Sequence, residues 1–328
     1  MAAPTEASEI LERGTFARLA VAARRSLHLT PLVYAISGDR LWVTTARRSV
    51  KARAWERDPF VAGLVRDGTS AVSFVGSVTR HDAFDPDTWM ASIPRSREIA
   101  RATRVFTRRN ARFFAGYAVD ARRVPLAWTP PGRVFAEISL DRGAVLESGA
   151  VVSRWGGWPE GVAVSGRDAF QAETERDRFR YTGVPSAVIA SLQRGGVGAL
   201  AVRSGERRPV VIPVSFSIDR GDVLLTASSE LLAASGVGPS FDVSLEVDAG
   251  SAWRARSMVG AFLAGRAEAF APERLSSSSS ASSSSGREPA ARAMEGIRTS
   301  PAEDQLLRLH TERVTWWEGW SSGTVARR

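Results

Sequence analysis

The chain has 328 residues, of which 44% are hydrophobic and 24% are charged, a composition typical of a globular protein long enough for two domains. It contains no cysteine, which excludes disulfide frameworks, thiolate nucleophiles and cysteine-ligated metal centres. The formal net charge of +9 favours an anionic ligand or partner without distinguishing a nucleic acid from a small molecule.

The N-terminal sequence MAAPTEASEILERG has acidic residues where a signal peptide needs a basic start and an apolar run. No later stretch of the sequence is apolar enough to span a bilayer. We therefore expect a cytoplasmic protein with no membrane partner.

Short alternating apolar segments dominate the first half of the chain and predict strands. A Gly38-Asp39 pair between two of them is typical of a hairpin turn. Helices are predicted over residues 49–57, before Asp58-Pro59, and over residues 97–117, whose aromatic residues recur near helical spacing and are expected to pack on the strands. The predicted strands cover residues 19–21, 29–34, 41–44, 60–65, 71–78 and 133–140.

Lys51 is the only lysine among the 44 lysine and arginine residues. Thr44 and Thr45 end the strand before it, and Ser49 precedes it by two positions. Hydroxyl donors and a positive charge therefore meet at the start of a predicted helix, where anions bind favourably. The pattern predicts a site for the phosphate group of a small molecule; the alternative is a solvated basic turn.

The strand pattern of the first half recurs in the second. Pro213 and Pro31 are 213 − 31 = 182 positions apart, and Thr226 and Thr44 are also 226 − 44 = 182 apart. This repetition predicts a tandem duplication. The strands of the second copy are expected over residues 200–202, 211–216, 223–226, 241–247, 258–267 and 306–317.

The duplication predicts two antiparallel barrels, one in residues 1–150 and the other in residues 184–328. Residues 151–183 are expected to link them. The serine-rich stretch of residues 276–286 cannot bury apolar surface and is expected to be a disordered loop inserted in the second barrel.

The second copy lacks the phosphate-binding residues of the first. At the same offset of 182, Leu231 stands opposite Ser49 and Ala233 opposite Lys51. Apolar side chains cannot replace the hydration that a bound phosphate loses. We therefore expect one phosphate site in each chain.

Other catalytic signatures are missing from the sequence, including the P-loop, HExxH and GxSxG motifs. The three histidines, His28, His81 and His310, have no metal-ligand spacing, so no metal site and no catalytic side chain is predicted. The helical arginines Arg101, Arg104, Arg108, Arg109 and Arg112 could meet nucleic acid, but a solvated basic face is the favoured interpretation.

The sequence LHLTPLVYAISGDRLWVTTARRSVKARAWERDPFVAGLV resembles the first half of the FMN-binding split-barrel superfamily, which includes pyridoxamine 5'-phosphate oxidase-like proteins and deazaflavin-dependent reductases. The resemblance implies two sets of cofactor contacts. The phosphate would be held by Thr44, Thr45, Ser49 and Lys51, and the ring would face Thr30, Pro31 and Leu32.

The resemblance also implies a mainly β fold with flanking helices, in which two tandem split barrels of antiparallel, Greek-key type form an intrachain pseudo-dimer. The second barrel would supply the opposite wall of the cofactor site; further pairing into homodimers stays open. Candidates for this wall are Trp253, Arg254, Arg256, Trp316 and Trp317, with packing favoured for Trp316.

By this resemblance the protein would be a flavin-dependent oxidoreductase that transfers a hydride or electrons between FMN and an unknown small molecule. A reductase that uses deazaflavin coenzyme F-420 is one alternative, and a non-catalytic flavin-binding or vestigial barrel is another. Full pyridoxamine 5'-phosphate oxidase activity is not expected, because the Arg-x-His ending of those enzymes is absent from ERVTWWEGWSSGTVARR.

Overall fold

The structure, a computed structural model, describes residues 3–23, 26–119, 132–159, 180–203, 208–219, 222–238, 240–249, 257–269 and 304–327. Three candidates for the cofactor wall, Trp253, Arg254 and Arg256, lie outside the described residues, as does the serine-rich stretch 276–286.

The first half of the chain forms strands with helices between them. The strands are β1 (Phe16–Ala22), β2 (Leu27–Ser37), β3 (Arg40–Ala46), β4 (Phe60–Asp67), β5 (Ser70–His81), β6 (Arg133–Ser139), β7 (Arg142–Glu147) and β8 (Ala150–Trp155). The helices are α1 (Thr5–Arg13), α2 (Val50–Arg57), α3 (Pro86–Ser92), α4 (Ser96–Arg109) and α5 (Ala111–Val119), with a 3-10 helix at Ile93–Arg95.

Six of these strands close into a barrel. The order of hydrogen-bonded neighbours is β4-β1-β2-β3-β6-β5, and β5 pairs back with β4. All the neighbours are antiparallel. The order β4-β1-β2-β3 is a Greek key. Strands β7 and β8 extend the sheet outward from β5.

The second half repeats this architecture. Its strands are β9 (Gly196–Arg203), β10 (Pro209–Asp219), β11 (Asp222–Ser228), β12 (Ser240–Ala249), β13 (Val259–Ala269), β14 (Asp304–Glu318) and β15 (Ser321–Ala326), with helices α6 (Ser186–Arg194) and α7 (Ser229–Ala234). The order β11-β10-β9-β12-β13-β14 closes through pairing of β11 with β14. Strands β9 to β14 thus take the places of β1 to β6.

The register between β2 and β3 recurs between β10 and β11 with the same offset as the sequence. Tyr34 pairs with Val43 in the first barrel, and Phe216 pairs with Leu225 in the second. Phe216 follows Tyr34 by 216 − 34 = 182 positions, and Leu225 follows Val43 by 225 − 43 = 182 positions. The predicted fold, two tandem antiparallel split barrels with flanking helices, is confirmed.

The two barrels share a core between them. Leu29 and Leu64 of the first barrel belong to one buried apolar cluster with Leu200, Ile212 and Leu245 of the second. A separate cluster, which includes Leu19, Tyr34 and Phe74, fills the inside of the first barrel. Burial of apolar surface therefore holds the halves together as well as each barrel.

The contacts between the barrels are reciprocal. Strand β2 packs on β9, β12 and β13, and its counterpart β10 packs on β1, β4 and β5, which are the counterparts of those three strands. Such reciprocal contacts are typical of a two-fold interface between equal partners. Here both partners belong to one chain.

A buried ion-pair cluster crosses this interface. Arg18 on β1 donates to Glu246 at 2.9 Å and to Asp248 at 2.8 Å, both on β12. Glu246 has no exposed surface. Burial outweighs the positive charge of Arg18, so that the pKa of Glu246 is raised to about 8. Glu246 is therefore largely protonated at neutral pH, and Arg18 serves it and Asp248 as a buried hydrogen-bond donor in the interface.

None of the helices in the described ranges combines the length and the apolar character that a membrane crossing requires.

We expect Arg18→Met to lower the free energy of unfolding by roughly 2–5 kcal/mol, because the substitution leaves the carboxyl groups of Glu246 and Asp248 without their hydrogen-bond donor. The measurement is urea unfolding at neutral pH. Arg13→Met is the control, because Arg13 pairs with Asp67 at 2.6 Å on the surface and its loss should leave stability unchanged. Equal effects of the two substitutions would contradict the role assigned to Arg18.

Candidate functional site

Lys51 is the second residue of α2 and is only 6% exposed. The helix begins after Ser49, whose Oγ accepts a hydrogen bond from the backbone N–H of Ala52 at 3.1 Å. Ala54 and Trp55 on the same helix pack into the core of the first barrel. This anchoring directs the Lys51 Nζ atom to the Oγ1 atom of Thr30 on β2, to which it donates a hydrogen bond.

The charge of Lys51 is not balanced by a described carboxylate. Burial and, to a smaller extent, the charge of the Arg133 guanidinium lower the pKa of Lys51 to about 7. Within the described ranges, Lys51 forms an ion pair with no acidic side chain. A buried ammonium group without an anion is costly. An anion bound beside Nζ would therefore stabilise the charged form.

The four residues predicted to hold a phosphate are found in three separate hydrogen-bonded pairs. Lys51 pairs with Thr30, and the Thr45 Oγ1 and Ser49 Oγ atoms are 3.0 Å apart. Thr44 points to the other face of β3, as alternation along a strand requires. There, Arg133 donates to the Thr44 Oγ1 atom and, at 2.9 Å, to the Thr44 carbonyl oxygen.

Thr30, Pro31 and Leu32 lie on a section of β2 that has a strand on one side only. The ladder between β2 and β3 runs from Tyr34–Val43 to Ser37–Arg40 and ends there. Residues 27–33 pair with β1, and no other described strand forms a ladder with them. This separation is the split in the barrel, and it leaves main-chain groups of the half-buried residues 30–32 available to a ligand.

A second cation approaches this site from the other barrel. The ring of His28 on β2 meets the ring of Phe262 on β13 edge to face, with centroids 5.1 Å apart. Arg313 on β14 donates to the Oγ atom of Ser26, and its buried Nε has no partner among the described residues. Burial, together with the charges of Lys51 and Arg313, lowers the pKa of His28 to about 3. His28 is therefore neutral and within electrostatic reach of both cations.

His28 and Arg313 were not identified as site residues from the sequence. His28 carries no motif, and Arg313 lies 313 − 51 = 262 positions after Lys51 in the other barrel. Only the pairing of the barrels brings them together. No local pattern could have found this contact.

A cavity of about 580 Å³ lies between the wall of the first barrel and the helices that follow β5. Thr44 and Arg133 belong to its lining. The other lining residues are His81, Asp82, Ala83, Trp89, Ser92, Ile99, Thr103, Phe106, Thr107, Phe114, Val134 and Phe135. The structure divides the helix predicted over residues 97–117 into α4 and α5. Phe106 and Phe114 on these helices pack toward the barrel, as expected, and also line the cavity.

The polar residues at the edge of this cavity are held by partners of their own. The Nδ1 atom of His81 lies 2.8 Å from the Ser92 Oγ atom, and its Nε2 atom lies 3.4 Å from Glu137. Burial lowers the pKa of His81, although the Glu137 carboxylate opposes this shift. Asp82 pairs with Arg47 at 2.5 Å. His81 therefore presents a neutral ring at neutral pH.

Among its described residues, the second barrel has no equivalent of the lysine site. Leu231, opposite Ser49, is buried on α7 and has no polar group to offer. The wall candidates Trp316 and Trp317 pack against glycines of the neighbouring strands. A Cβ atom added at Gly323 would lie only 2.6 Å from the Trp316 ring, and one added at Gly260 only 2.4 Å from the Trp317 ring, so no larger residue fits at either glycine. Both tryptophans therefore contribute to packing of the sheet.

Among the described residues, no group of three histidine, aspartate or glutamate side chains lies close enough together to hold a metal ion. The cationic and hydroxyl groups around Lys51 suit an anionic ligand instead.

No protein-family model matches the chain, and no curated protein sequence matches it. Solved structures match one half of it. A heme binding protein from Mycobacterium smegmatis is 20% identical, with a TM-score of 0.30; the match covers 42% of this chain and 55% of that protein. The chain thus spans about half the length of that protein.

Two further structures match a similar share of the chain. A pyridoxamine 5'-phosphate oxidase-related, FMN binding protein from Nostoc punctiforme is 17% identical, with a TM-score of 0.30 and coverage of 43% of this chain and 81% of that one. A protein described as an F420 reductase is 17% identical, with a TM-score of 0.28 and coverage of 42% and 94%. The assignment of the fold rests on the strand pairing of the chain itself.

We expect Lys51→Met to raise the free energy of unfolding of the ligand-free protein by roughly 1–4 kcal/mol at pH 6.5, because an apolar side chain replaces a buried unpaired charge. Unfolding raises the pKa of Lys51 from about 7 to its ordinary value of 10.5. Between these values the unfolded chain binds the extra proton, so the stability of the wild type rises with pH.

The advantage of Lys51→Met should therefore shrink between pH 6.5 and pH 9. Urea unfolding of both proteins at the two pH values measures it. An advantage that is unchanged over this range would show that Lys51 does not titrate as its burial requires.

Proposed function

We propose that the first barrel binds FMN and that the protein is a flavin-dependent oxidoreductase of the pyridoxamine 5'-phosphate oxidase-like type. One observation carries the proposal. The buried ammonium group of Lys51, hydrogen-bonded to Thr30 and without a described anionic partner, lies beside the unpaired section of β2.

The residues present fit the phosphate of such a cofactor. A phosphate dianion near Lys51 Nζ would supply the charge that the site lacks, and it would raise the depressed pKa of the lysine. Thr45 and Ser49 add hydroxyl groups near the start of α2, where the helix dipole also favours an anion. The proposal assigns the phosphate to Lys51, Thr45 and Ser49.

The assignment of Thr44 to the phosphate is a weaker part of the proposal. Its hydroxyl accepts a hydrogen bond from Arg133 on the opposite face of β3, so it would act on the phosphate only through its main chain. Thr44 is better placed to position Arg133.

The unpaired edge of β2 fits the ring of the cofactor. Main-chain groups of Thr30, Pro31 and Leu32 have no second strand as partner, and a planar heterocycle with donors and acceptors on its edge would satisfy them. When bound, a flavin supplies the hydride and electron chemistry. The residues of the chain orient it, and the neutral His28 and Phe262 exclude water on the side of the second barrel.

The second barrel would complete the site as a wall. Arg313 brings a positive charge to the junction, which would favour a ligand of negative charge there. Arg254, proposed for the same wall, stays a prediction. The protein would thus hold one cofactor in each chain and act on a small molecule.

We expect FMN to bind the wild type and Lys51→Met to weaken this binding roughly tenfold to hundredfold, because one charged hydrogen bond to the phosphate is lost. Quenching of FMN fluorescence measures both constants. Riboflavin, which has no phosphate, should bind wild type and variant equally. Deazaflavin coenzyme F-420 is titrated in the same way and, if it binds where FMN does not, it replaces FMN in the proposal.

Arg104→Met is the matched control, since it removes one positive charge from an exposed position on α4. It should leave FMN affinity unchanged. Equal affinity of the wild type for FMN and riboflavin would refute the phosphate site. Reoxidation of reduced bound FMN by added acceptors, compared with free FMN, separates an oxidoreductase from a non-catalytic flavin carrier.

A further inference from the structure

The cavity of about 580 Å³ beside β3 has no role in the contacts to a phosphate or to the edge of β2. Its volume is in the range of small-molecule sites, roughly 300–1,000 Å³. It is open to solvent and is lined by the wall of the first barrel and by α3, α4 and α5. Its lining therefore decides which kind of molecule it could take.

Aromatic rings form much of the lining. Phe106 lies between Phe114 and Phe135, with ring centroids 5.9 Å and 5.6 Å away. Behind Phe135, the ring of Trp42 stacks at 4.9 Å and fixes its plane. Aromatic surfaces held in this way bind another flat ring favourably by stacking or edge contacts.

The polar groups of the lining favour a single negative charge on the guest. Arg133 is the one arginine among the described lining residues. Asp82 is neutralised by Arg47 at 2.5 Å, and the buried His81 ring is neutral. The hydroxyl groups of Thr103 and Thr107 add uncharged polar contacts on α4.

We infer that this cavity binds a planar aromatic molecule with one anionic group, whose ring lies among Phe106, Phe114 and Phe135 and whose anion meets Arg133. The cavity adjoins the proposed phosphate site, because Thr44 in its lining directly precedes Thr45 on β3. The charge of Arg133 also acts on Lys51. Resting on the proposed function, the cavity is then the substrate subsite beside the cofactor, and aromatic anions are the substrate class.

Calorimetric titration of the cofactor-free protein with 2-naphthoate tests this inference. We expect saturable binding in the wild type. Thr103→Trp fills the cavity from α4 and should weaken binding roughly tenfold or more. Arg104→Trp places the same side chain at a neighbouring position of α4 that is not part of the cavity lining and should change the affinity by less than about twofold. Thr107→Trp is a second blocking variant should the first one unfold.

The charge preference is tested with 2-naphthamide, which has the same rings but no charge. Arg133→Met should weaken the binding of 2-naphthoate roughly tenfold and leave that of 2-naphthamide nearly unchanged. No binding of 2-naphthoate, or binding that both blocking variants leave intact, would overturn the inference.

Failure of this inference is distinguishable from failure of the proposed function. FMN binding should persist in Thr103→Trp, and 2-naphthoate binding should persist in Lys51→Met. Binding of 2-naphthoate without any binding of FMN would leave the aromatic site standing and remove the cofactor proposal. Binding of FMN without any binding of 2-naphthoate would leave the cofactor proposal standing and remove the aromatic site.

Discussion

The alternation of side chains along β2 is the constraint on which the rest of the structure depends. Leu27 and Leu29 point into the core that the two barrels share, whereas Tyr34 points into the first barrel. Thr30, on the same face of the strand as Tyr34, reaches Lys51. One strand thus serves the interface and the candidate site at once, and a shift of one residue in its register would destroy both.

The two halves have kept their backbone and lost their chemical equivalence. Equal strand order, reciprocal packing and the equal register of one strand pair in each barrel show how strongly the barrel topology is maintained. The ionisable side chains do not follow this symmetry. Lys51 belongs to the first barrel alone. Glu246 of the second barrel corresponds to the apolar Leu64 of the first, at the same offset of 246 − 64 = 182. Packing needs only apolar surface of the right shape, whereas a binding site needs particular polar groups.

The sequence was sufficient to predict the six strands of each barrel, the duplication and the unusual position of Lys51, because periodicity and local motifs are properties of neighbouring residues. It did not predict β7, β8 and β15, and β8 lies mostly in the stretch expected to be a linker. It could not predict that Thr44 and Thr45 serve different sites, which follows from the way β3 meets β6 and α2. Arg133 and Arg313 were missed for a similar reason: each reaches the site across a long separation in sequence, and only the folded chain defines their surroundings.

The fusion of both barrels into one chain changes how the candidate site is assembled. In a pair of separate subunits, a cleft between barrels disappears when the protein is diluted below its dissociation constant. Here the second barrel is tethered to the first, so its local concentration is fixed by the connecting chain. Formation of the cleft is then a unimolecular event, and its occupancy by a ligand depends on ligand concentration and not on the abundance of the protein.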